Sequence, residues 1–173
     1  STTHLYVFVS YIFNLIFGKE NFIYPLLIFN SLLFTIGSYF LSKLILENPV
    51  HQAIFIFLFG ILPPSIKISI LGMEYGILFF LEMALLYFGF KQNKIWAQIL
   101  FPILILFTRI DTVIFLGVVF LVDIIWNKKI RWFYILGGML GVAVLMSFNW
   151  FYFGELVNNT IVAKSVTYAK NMS

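Results

Sequence analysis

Apolar runs separated by short polar segments dominate the pattern of residues along the chain. A helix needs about 20 apolar residues to cross the hydrocarbon core of a bilayer. The pattern therefore predicts an all-α protein, a polytopic transmembrane helical bundle of about six or seven membrane helices. The predicted helical runs are residues 5–17, 22–46, 53–62, 75–90, 95–107, 112–126 and 132–153.

Two features of the pattern limit individual helices. The first run, residues 5–17, reaches only about 20 Å at 1.5 Å per residue, so it is expected to be a short or interfacial helix. Pro49 and the restricted residue before it, Asn48, end the second helix. Pro63 and Pro64 interrupt the third.

Composition supports a membrane location and excludes several classes of protein. Hydrophobic residues make up 62% of the 173 residues and charged residues 10%, with a mean hydropathy of +1.01, values far from those of soluble domains. Residues 1–173 are expected to form a single transmembrane domain. The sequence contains no cysteine, which excludes thiolate catalysis and disulfides. His4 and His51 are too isolated to predict a metal site, and no basic patch predicts nucleic-acid binding.

The basic residues predict how the helices are oriented. Lysine and arginine collect on the cytoplasmic side of membrane helices, and two short segments, 91–94 and 128–131, are basic. Both segments are expected at the cytoplasmic face, so the runs between them form a hairpin whose tip, residues 108–111, points to the outer side. Because successive membrane helices run in alternating directions, Glu74 and the polar tail after Gly154 are also expected outside. The predicted protein is multi-pass and lies in the plasma (inner) membrane.

Three charged residues are predicted to converge in the outer half of the membrane: Glu74, Arg109 and Asp111. Ionisable groups at that depth usually pair or face a polar cavity. One interpretation is a structural ion pair between Glu74 and Arg109. The other is a cavity for an anionic, lipid-borne ligand, in which the planar fork of Arg109 binds phosphate and Glu74 orients that fork or binds sugar hydroxyls. Asp111 is either a salt-bridged carboxylate or a general base.

The remaining charged residues have both structural and functional interpretations. Glu82 lies near mid-bilayer, about 12 Å from Glu74 along the helix, where it is either protonated or hydrogen-bonded to a neighbour. Asp123 is one turn before Lys128 and is expected to be solvated or paired. Three further lysines either meet a phosphate or are simply solvated: Lys67, Lys164 and Lys170.

Three stretches, in this order, resemble the signatures of a known family. "LGMEYG" (71–76), "FTRID" (107–111) and "GELVNNTIVAK" (154–164) resemble the Gly-Met-Glu-Thr, Thr-Arg-Pro-Glu/Asp-Gly and Pro-Asn-Thr...Ala-Lys signatures of GT-C glycosyltransferases. The group that they resemble most is the terminal arabinofuranosyltransferase of the mycobacterial cell wall and its bacterial relatives. The chain departs from these signatures at Tyr75, Ile110, Thr112 and Asn158.

The resemblance implies that the chain is the N-terminal half of a bacterial cell-envelope enzyme. Its first residues, "STTHLYVFVSYIFNLIFG", resemble the segment that follows the family's first outer loop. That loop, which carries the catalytic aspartate of the family, is therefore expected upstream of Ser1, and the C-terminal part of the enzyme is expected to be missing. On this expectation the chain alone is inactive.

The implied reaction transfers a sugar from a polyprenyl-phosphate donor to an acceptor hydroxyl of a glycan or lipid-linked molecule on the extracytoplasmic face. The residues implied to bind the donor or substrate are Glu74, Arg109, Asp111, Asn159 and Lys164, with Arg109 and Lys164 at the phosphate. The sequence indicates no cofactor and leaves a divalent cation open; membrane lipid is an expected partner and nucleic acid is not. Two alternatives remain, a transporter or flippase-like module with a mid-depth cavity and a non-catalytic assembly subunit whose charges only pair helices.

Overall fold

The structure is a computed structural model that describes residues 4–63, 65, 66 and 74–154. These residues form helices and short connections, and none of them lies in a strand, so the predicted all-α class is confirmed. The helices are α1 (His4–Phe17), α2 (Ile23–Ile45), α3 (Pro49–Ile61), α4 (Tyr75–Ala84, continued by the π-helical segment Leu85–Lys91), α5 (Ile95–Thr108), α6 (Val113–Asn127, preceded by the 3₁₀ turn Ile110–Thr112) and α7 (Trp132–Phe153).

Three helical segments are long and apolar enough to cross a membrane. They are Ile23–Ile45, Ile110–Asn127 and Trp132–Tyr152, and they support the assignment as a membrane protein. Helices α1, α3 and α5 are apolar but have only 14, 13 and 14 residues, which gives each of them about 20 Å at 1.5 Å per residue. The predicted total of six or seven membrane helices is therefore not confirmed.

Helix α3 begins earlier than the sequence pattern predicted, at Pro49 instead of residue 53. The side chain of Asn48 accepts a hydrogen bond of 2.8 Å from the backbone N–H of Val50, which caps the first turn of α3. Proline is favoured at the first position of a helix because its missing N–H would have no partner there. The Asn48-Pro49 pair therefore starts the third helix as well as ending the second, and α3 ends at Ile61, just before Pro63.

Glycines set the closest helix contacts in the bundle. A Cβ atom on Gly137 would lie 2.6 Å from the carbonyl oxygen of Gln98, and one on Gly141 would lie 2.8 Å from the side chain of Leu106. Helix α7 therefore packs directly on the backbone of α5 through a Gly-x-x-x-Gly pair, as membrane helices often do. Helices α2 and α4 form a second close pair at Gly76, where an added Cβ would collide with Asn30.

The core of the bundle lies where α4, α5 and α7 meet. Its buried side chains are mainly aliphatic, and they include Ile77, Leu81, Leu85, Ala97, Ile105, Leu106 and Tyr134. This packing leaves the polar connections at the two ends of the helices. We call the end that contains Glu74 and Asp111 the acidic end, and the end that contains Lys91 and Lys128 the basic end.

The two predicted basic segments meet at the basic end. Arg131 donates a hydrogen bond to the side chain of Asn93, and the ammonium group of Lys91 donates to the carbonyl oxygen of Lys43. The alternating helix directions predicted from the sequence put these segments at one end and Glu74 and Arg109 together at the opposite end. Both groupings are confirmed.

Candidate functional site

Glu74 and Arg109 are in direct contact at the acidic end of the bundle. The Nη1 atom of Arg109 donates a hydrogen bond of 2.8 Å to Oε1 of Glu74, across 35 residues of sequence. The side chain of Glu74 is 10% exposed and that of Arg109 is 20% exposed. The predicted pair is therefore confirmed, and it lies largely out of solvent.

Asp111 occupies the other edge of the same guanidinium. The Nε and Nη2 atoms of Arg109 donate to the two carboxylate oxygens of Asp111, at 2.9 and 2.6 Å. This is the bidentate, fork-to-carboxylate geometry that makes arginine pairs specific. In contrast to Glu74, the side chain of Asp111 is 58% exposed. The predicted salt bridge of Asp111 is confirmed, whereas a role as general base is untested.

Asn30 caps the first turn of α4, so the Glu74 carboxylate is not needed for capping and is available for Arg109. Glu74 stands at the N-cap position of α4, but its side chain makes no capping hydrogen bond. Instead, the fully buried Asn30 of α2 accepts a hydrogen bond of 3.2 Å from the backbone N–H of Ile77 in the first turn. A first-turn N–H normally needs a capping side chain, and here a neighbouring helix supplies it. The close approach at Gly76 brings Asn30 within reach.

The end of α5 places the Arg109 side chain toward α4. Arg109 is the first residue after α5, and its backbone is extended, with φ of −150° and ψ of 127°. The hydroxyl of Thr112 donates to the carbonyl oxygen of Arg109, which satisfies that group where the helical ladder stops. Arg109 and Asp111 are therefore held on a structured turn between α5 and α6.

Aromatic and polar side chains of α1 and α4 border this cluster. The Tyr75 ring lies beside the guanidinium, with 5.9 Å between the ring centroid and Cζ of Arg109. Tyr6 of α1 is close enough to Glu74 for an electrostatic interaction. The His4 ring packs against Phe107 and Phe148, at centroid distances of 5.7 and 5.0 Å. The sequence pattern assigned no role to Tyr6 or His4 at this site, because nothing in the apolar run of α1 indicates which helices it contacts.

The other candidate residues fall into two groups, those outside the described part of the chain and those at other places in the fold. Asn159 and Lys164 fall outside the described residues, as do Lys67 and Lys170. Glu82 points into a separate cavity further along α4. Asp123 is at the basic end and is paired with Arg131 at 2.9 Å, in agreement with the predicted solvated or paired role. Among the described residues, no group of three or more His, Asp or Glu side chains is placed to hold a metal ion.

The charge of the cluster limits the ligands that it can bind. One guanidinium and two carboxylates carry a net charge of −1, and the carboxylates already use three of the five N–H groups of the guanidinium. A phosphate that binds to the fork of Arg109 must replace the exposed Asp111, since the enclosed Glu74 holds the other terminal nitrogen. Hydroxyl groups, in contrast, can donate directly to either carboxylate.

Comparison with known proteins does not assign this chain to a family. No protein-family model matches the sequence, and neither a curated protein nor a solved structure is significantly similar to it.

Proposed function

We propose that this chain belongs to a membrane glycosyltransferase of the GT-C type, which transfers a sugar from a polyprenyl-phosphate donor to an acceptor hydroxyl. One observation carries the proposal: Glu74 and Arg109, which the family resemblance assigns to a single site, are 35 residues apart in sequence and in direct contact in the fold. Glu74 and Arg109 lie at one end of the bundle, and the basic segments lie at the other end.

The proposed enzyme is a multi-pass protein of the plasma membrane with six or seven membrane helices. The positive-inside rule assigns the basic end, with Lys43, Lys91 and Lys128, to the cytoplasm. The acidic end then faces the extracytoplasmic side, where a polyprenyl-phosphate sugar presents its head group. We infer that the Glu74 and Arg109 cluster then lies at the depth of the lipid phosphate.

In the proposed mechanism the cluster binds the donor and stabilises the leaving group. Asp111 gives up the fork of Arg109 to the phosphate, and Arg109 then stabilises the charge that develops as the bond between sugar and phosphate breaks. Glu74 keeps the guanidinium oriented, and the displaced Asp111 accepts hydrogen bonds from sugar hydroxyls. The resemblance also assigns Asn159 and Lys164 to the donor site, and in this class of reaction an aspartate of the enzyme removes the acceptor proton.

A second candidate is a non-catalytic membrane subunit, which one specific observation favours. The fork of Arg109 is already bound to Asp111 and its remaining edge to Glu74. An arginine that only joins α4 to the turn between α5 and α6 would show the same contacts. The two candidates differ in whether Arg109 contributes to turnover or only to folding.

The test is the Arg109→Lys variant of the whole protein that carries this sequence, reconstituted in vesicles with a polyprenyl-phosphate sugar. Lysine keeps the charge but lacks the planar fork, and loss of a donor of the oxyanion-hole type costs about 2.7–4 kcal/mol, or roughly a hundredfold or more in rate. We expect Arg109→Lys to lose that much turnover per folded molecule. Arg131→Lys, at the basic end, is the matched control and should change the folded fraction without changing turnover per folded molecule. Equal turnover per folded molecule in wild type and Arg109→Lys would remove Arg109 from the donor site.

A further inference from the structure

Glu82 is an acidic residue inside α4 that the cluster at the acidic end does not use. It follows Glu74 by eight residues, which is about 12 Å along a helix. Tyr75, Leu78 and Phe79 precede it by seven, four and three residues, and therefore lie on the same helical face. The carboxyl group thus projects from an otherwise apolar and aromatic stripe in the middle of the helix.

This stripe faces a cavity between α2, α3 and α4. The cavity has a volume of about 390 Å³, and the described residues that line it are Phe34, Phe59, Leu62, Ser65, Tyr75, Leu78, Phe79 and Glu82. Sites for small ligands start at about 300 Å³ and combine apolar walls with a few polar groups. Among the described residues of the wall, the polar groups are the Glu82 carboxyl and the Ser65 hydroxyl, and Ser65 is only 4% exposed.

No side chain in the described part of the chain pairs with the Glu82 carboxyl. A carboxyl group in an apolar environment costs free energy unless another group hydrogen-bonds to it. Ionisable residues inside membrane helices accordingly mark sites that bind ligands or ions. The helix also changes to π-helical geometry at Leu85, three residues after Glu82, and such segments are frequent at functional sites.

Two residues that line the cavity reach the surface of the bundle. Leu62 and Tyr75 line it and are 48% and 40% exposed. Leu62 belongs to the apolar outside of the bundle, so we infer that a molecule dissolved in the hydrocarbon phase reaches the cavity from that side. This access favours an apolar ligand over a water-soluble one.

We propose that this cavity binds a membrane-soluble alcohol whose hydroxyl group hydrogen-bonds with Glu82. A hydroxyl group donates to a carboxylate, and it both donates to and accepts from a carboxylic acid, so it satisfies Glu82 in either protonation state. The aromatic and aliphatic walls take the hydrocarbon part. An ammonium ligand fits less well, because burying both charges carries a desolvation cost that their attraction often fails to offset.

The experiment uses two photoreactive probes in vesicles that contain the whole protein. One probe is a diazirine-bearing straight-chain C12 alcohol, and the other is the corresponding alkane, which can neither donate nor accept a hydrogen bond. Because a hydrogen bond contributes only modestly to binding, we expect the alcohol to label wild type roughly three- to tenfold more strongly than it labels Glu82→Leu. Glu82→Gln keeps a donor and an acceptor and should retain labelling within about twofold of wild type.

The alkane probe and a cavity-filling variant locate the effect. The alkane should label wild type more weakly than the alcohol does, and it should label Glu82→Leu to the same weak extent as wild type. Leu78→Trp fills the cavity and should reduce labelling by both probes. The proposal is overturned if the alcohol labels Glu82→Leu as strongly as wild type, if Glu82→Gln loses labelling like Glu82→Leu, if the two probes label wild type equally, or if Leu78→Trp changes nothing.

Discussion

Arg109 and Arg131 stand at opposite ends of the bundle, and each forms a salt bridge with an aspartate. Arg131 donates through Nε to Asp123 at 2.9 Å, and its Nη1 atom donates to the side chain of Asn93 and to the carbonyl oxygen of Gly89. Its acceptors are therefore one carboxylate and two neutral oxygens. Arg109 instead faces two carboxylates, Glu74 and Asp111.

The two networks also differ in exposure. The Asp123 side chain is 4% exposed and receives a second hydrogen bond of 2.6 Å from Asn127. Asp111 is 58% exposed. The network at the basic end is charge-balanced, and its carboxylate is enclosed. The network at the acidic end carries a net negative charge and has one partner that solvent can reach, which is the arrangement expected where ligands exchange.

The comparison of the two networks predicts the largest difference in stability when each aspartate is replaced. Asp123→Ala removes the partner of a partly buried arginine, which should lower the free energy of unfolding by about 3–5 kcal/mol. Asp111→Ala breaks an exposed pair and should cost about 1 kcal/mol or less. Reversible unfolding of the reconstituted protein measures both values. A similar loss in the two variants would show that the networks have equivalent structural roles.

A glycine substitution should have the second largest effect. Gly76→Ala places a methyl group against Asn30, where an added Cβ has no room, and should cost about 1–3 kcal/mol of unfolding free energy by overpacking. It should also move Asn30 away from the N–H of Ile77 and loosen the cluster at the acidic end. Arg131 and its partners should be unaffected.

Gly138→Ala is the matched control for this prediction. A Cβ atom at Gly138 meets nothing within 4 Å, so the substitution should be neutral or stabilise the helix by up to about 1 kcal/mol. Unfolding measurements under the same conditions compare the two alanines. If Gly76→Ala is as stable as Gly138→Ala, the α2 and α4 contact does not support the cluster.

Much of the fold could be predicted from the sequence because membrane helices leave a strong, local signal. Helix α7 has the predicted bounds, 132–153, and α2 differs from its prediction by one residue at each end. The contact between Glu74 and Arg109 could be predicted from the alternating directions of the helices. These directions put both turns at the same end, and turns at one end of a bundle with short loops lie close together. The number of membrane helices is a different matter, because length and apolarity alone do not separate a short span from a helix that only dips into the bilayer.

Features that depend on contacts between distant residues could not be predicted in the same way. The role of Asn30 as a cap for α4 requires a partner helix, and no local pattern identifies it. The Gly137 and Gly141 pair was available in the sequence as a Gly-x-x-x-Gly motif, but its partner, the backbone of α5, was not. The π-helical segment has no reliable sequence signal, so its start at Leu85, three residues after Glu82, appears only in the structure.

The smallest predicted effects are the coupling energies between Arg109 and its two carboxylate partners, which double-mutant cycles measure. Asp111 has the better geometry, with two hydrogen bonds to one edge of the guanidinium, whereas Glu74 makes one. Exposure favours Glu74, because its side chain is 10% exposed and water screens it less. If screening outweighs geometry, the coupling of Glu74→Gln with Arg109→Gln should be about 1–2 kcal/mol, and that of Asp111→Asn with Arg109→Gln about 0.2–1 kcal/mol.

Salt dependence sharpens this last prediction and tests whether Asp111 is the partner that exchanges. Raising the ionic strength from about 0.1 M to 1 M shortens the screening length from about 10 to 3 Å, which should weaken the coupling of the exposed Asp111 more than that of Glu74. Glu74 and Arg131, at opposite ends of the bundle, form the control cycle and should couple by less than about 0.5 kcal/mol. A stronger and salt-resistant coupling at Asp111 would mean that its carboxylate holds the fork permanently. A phosphate could not then take its place, and Arg109 would have the same structural role as Arg131.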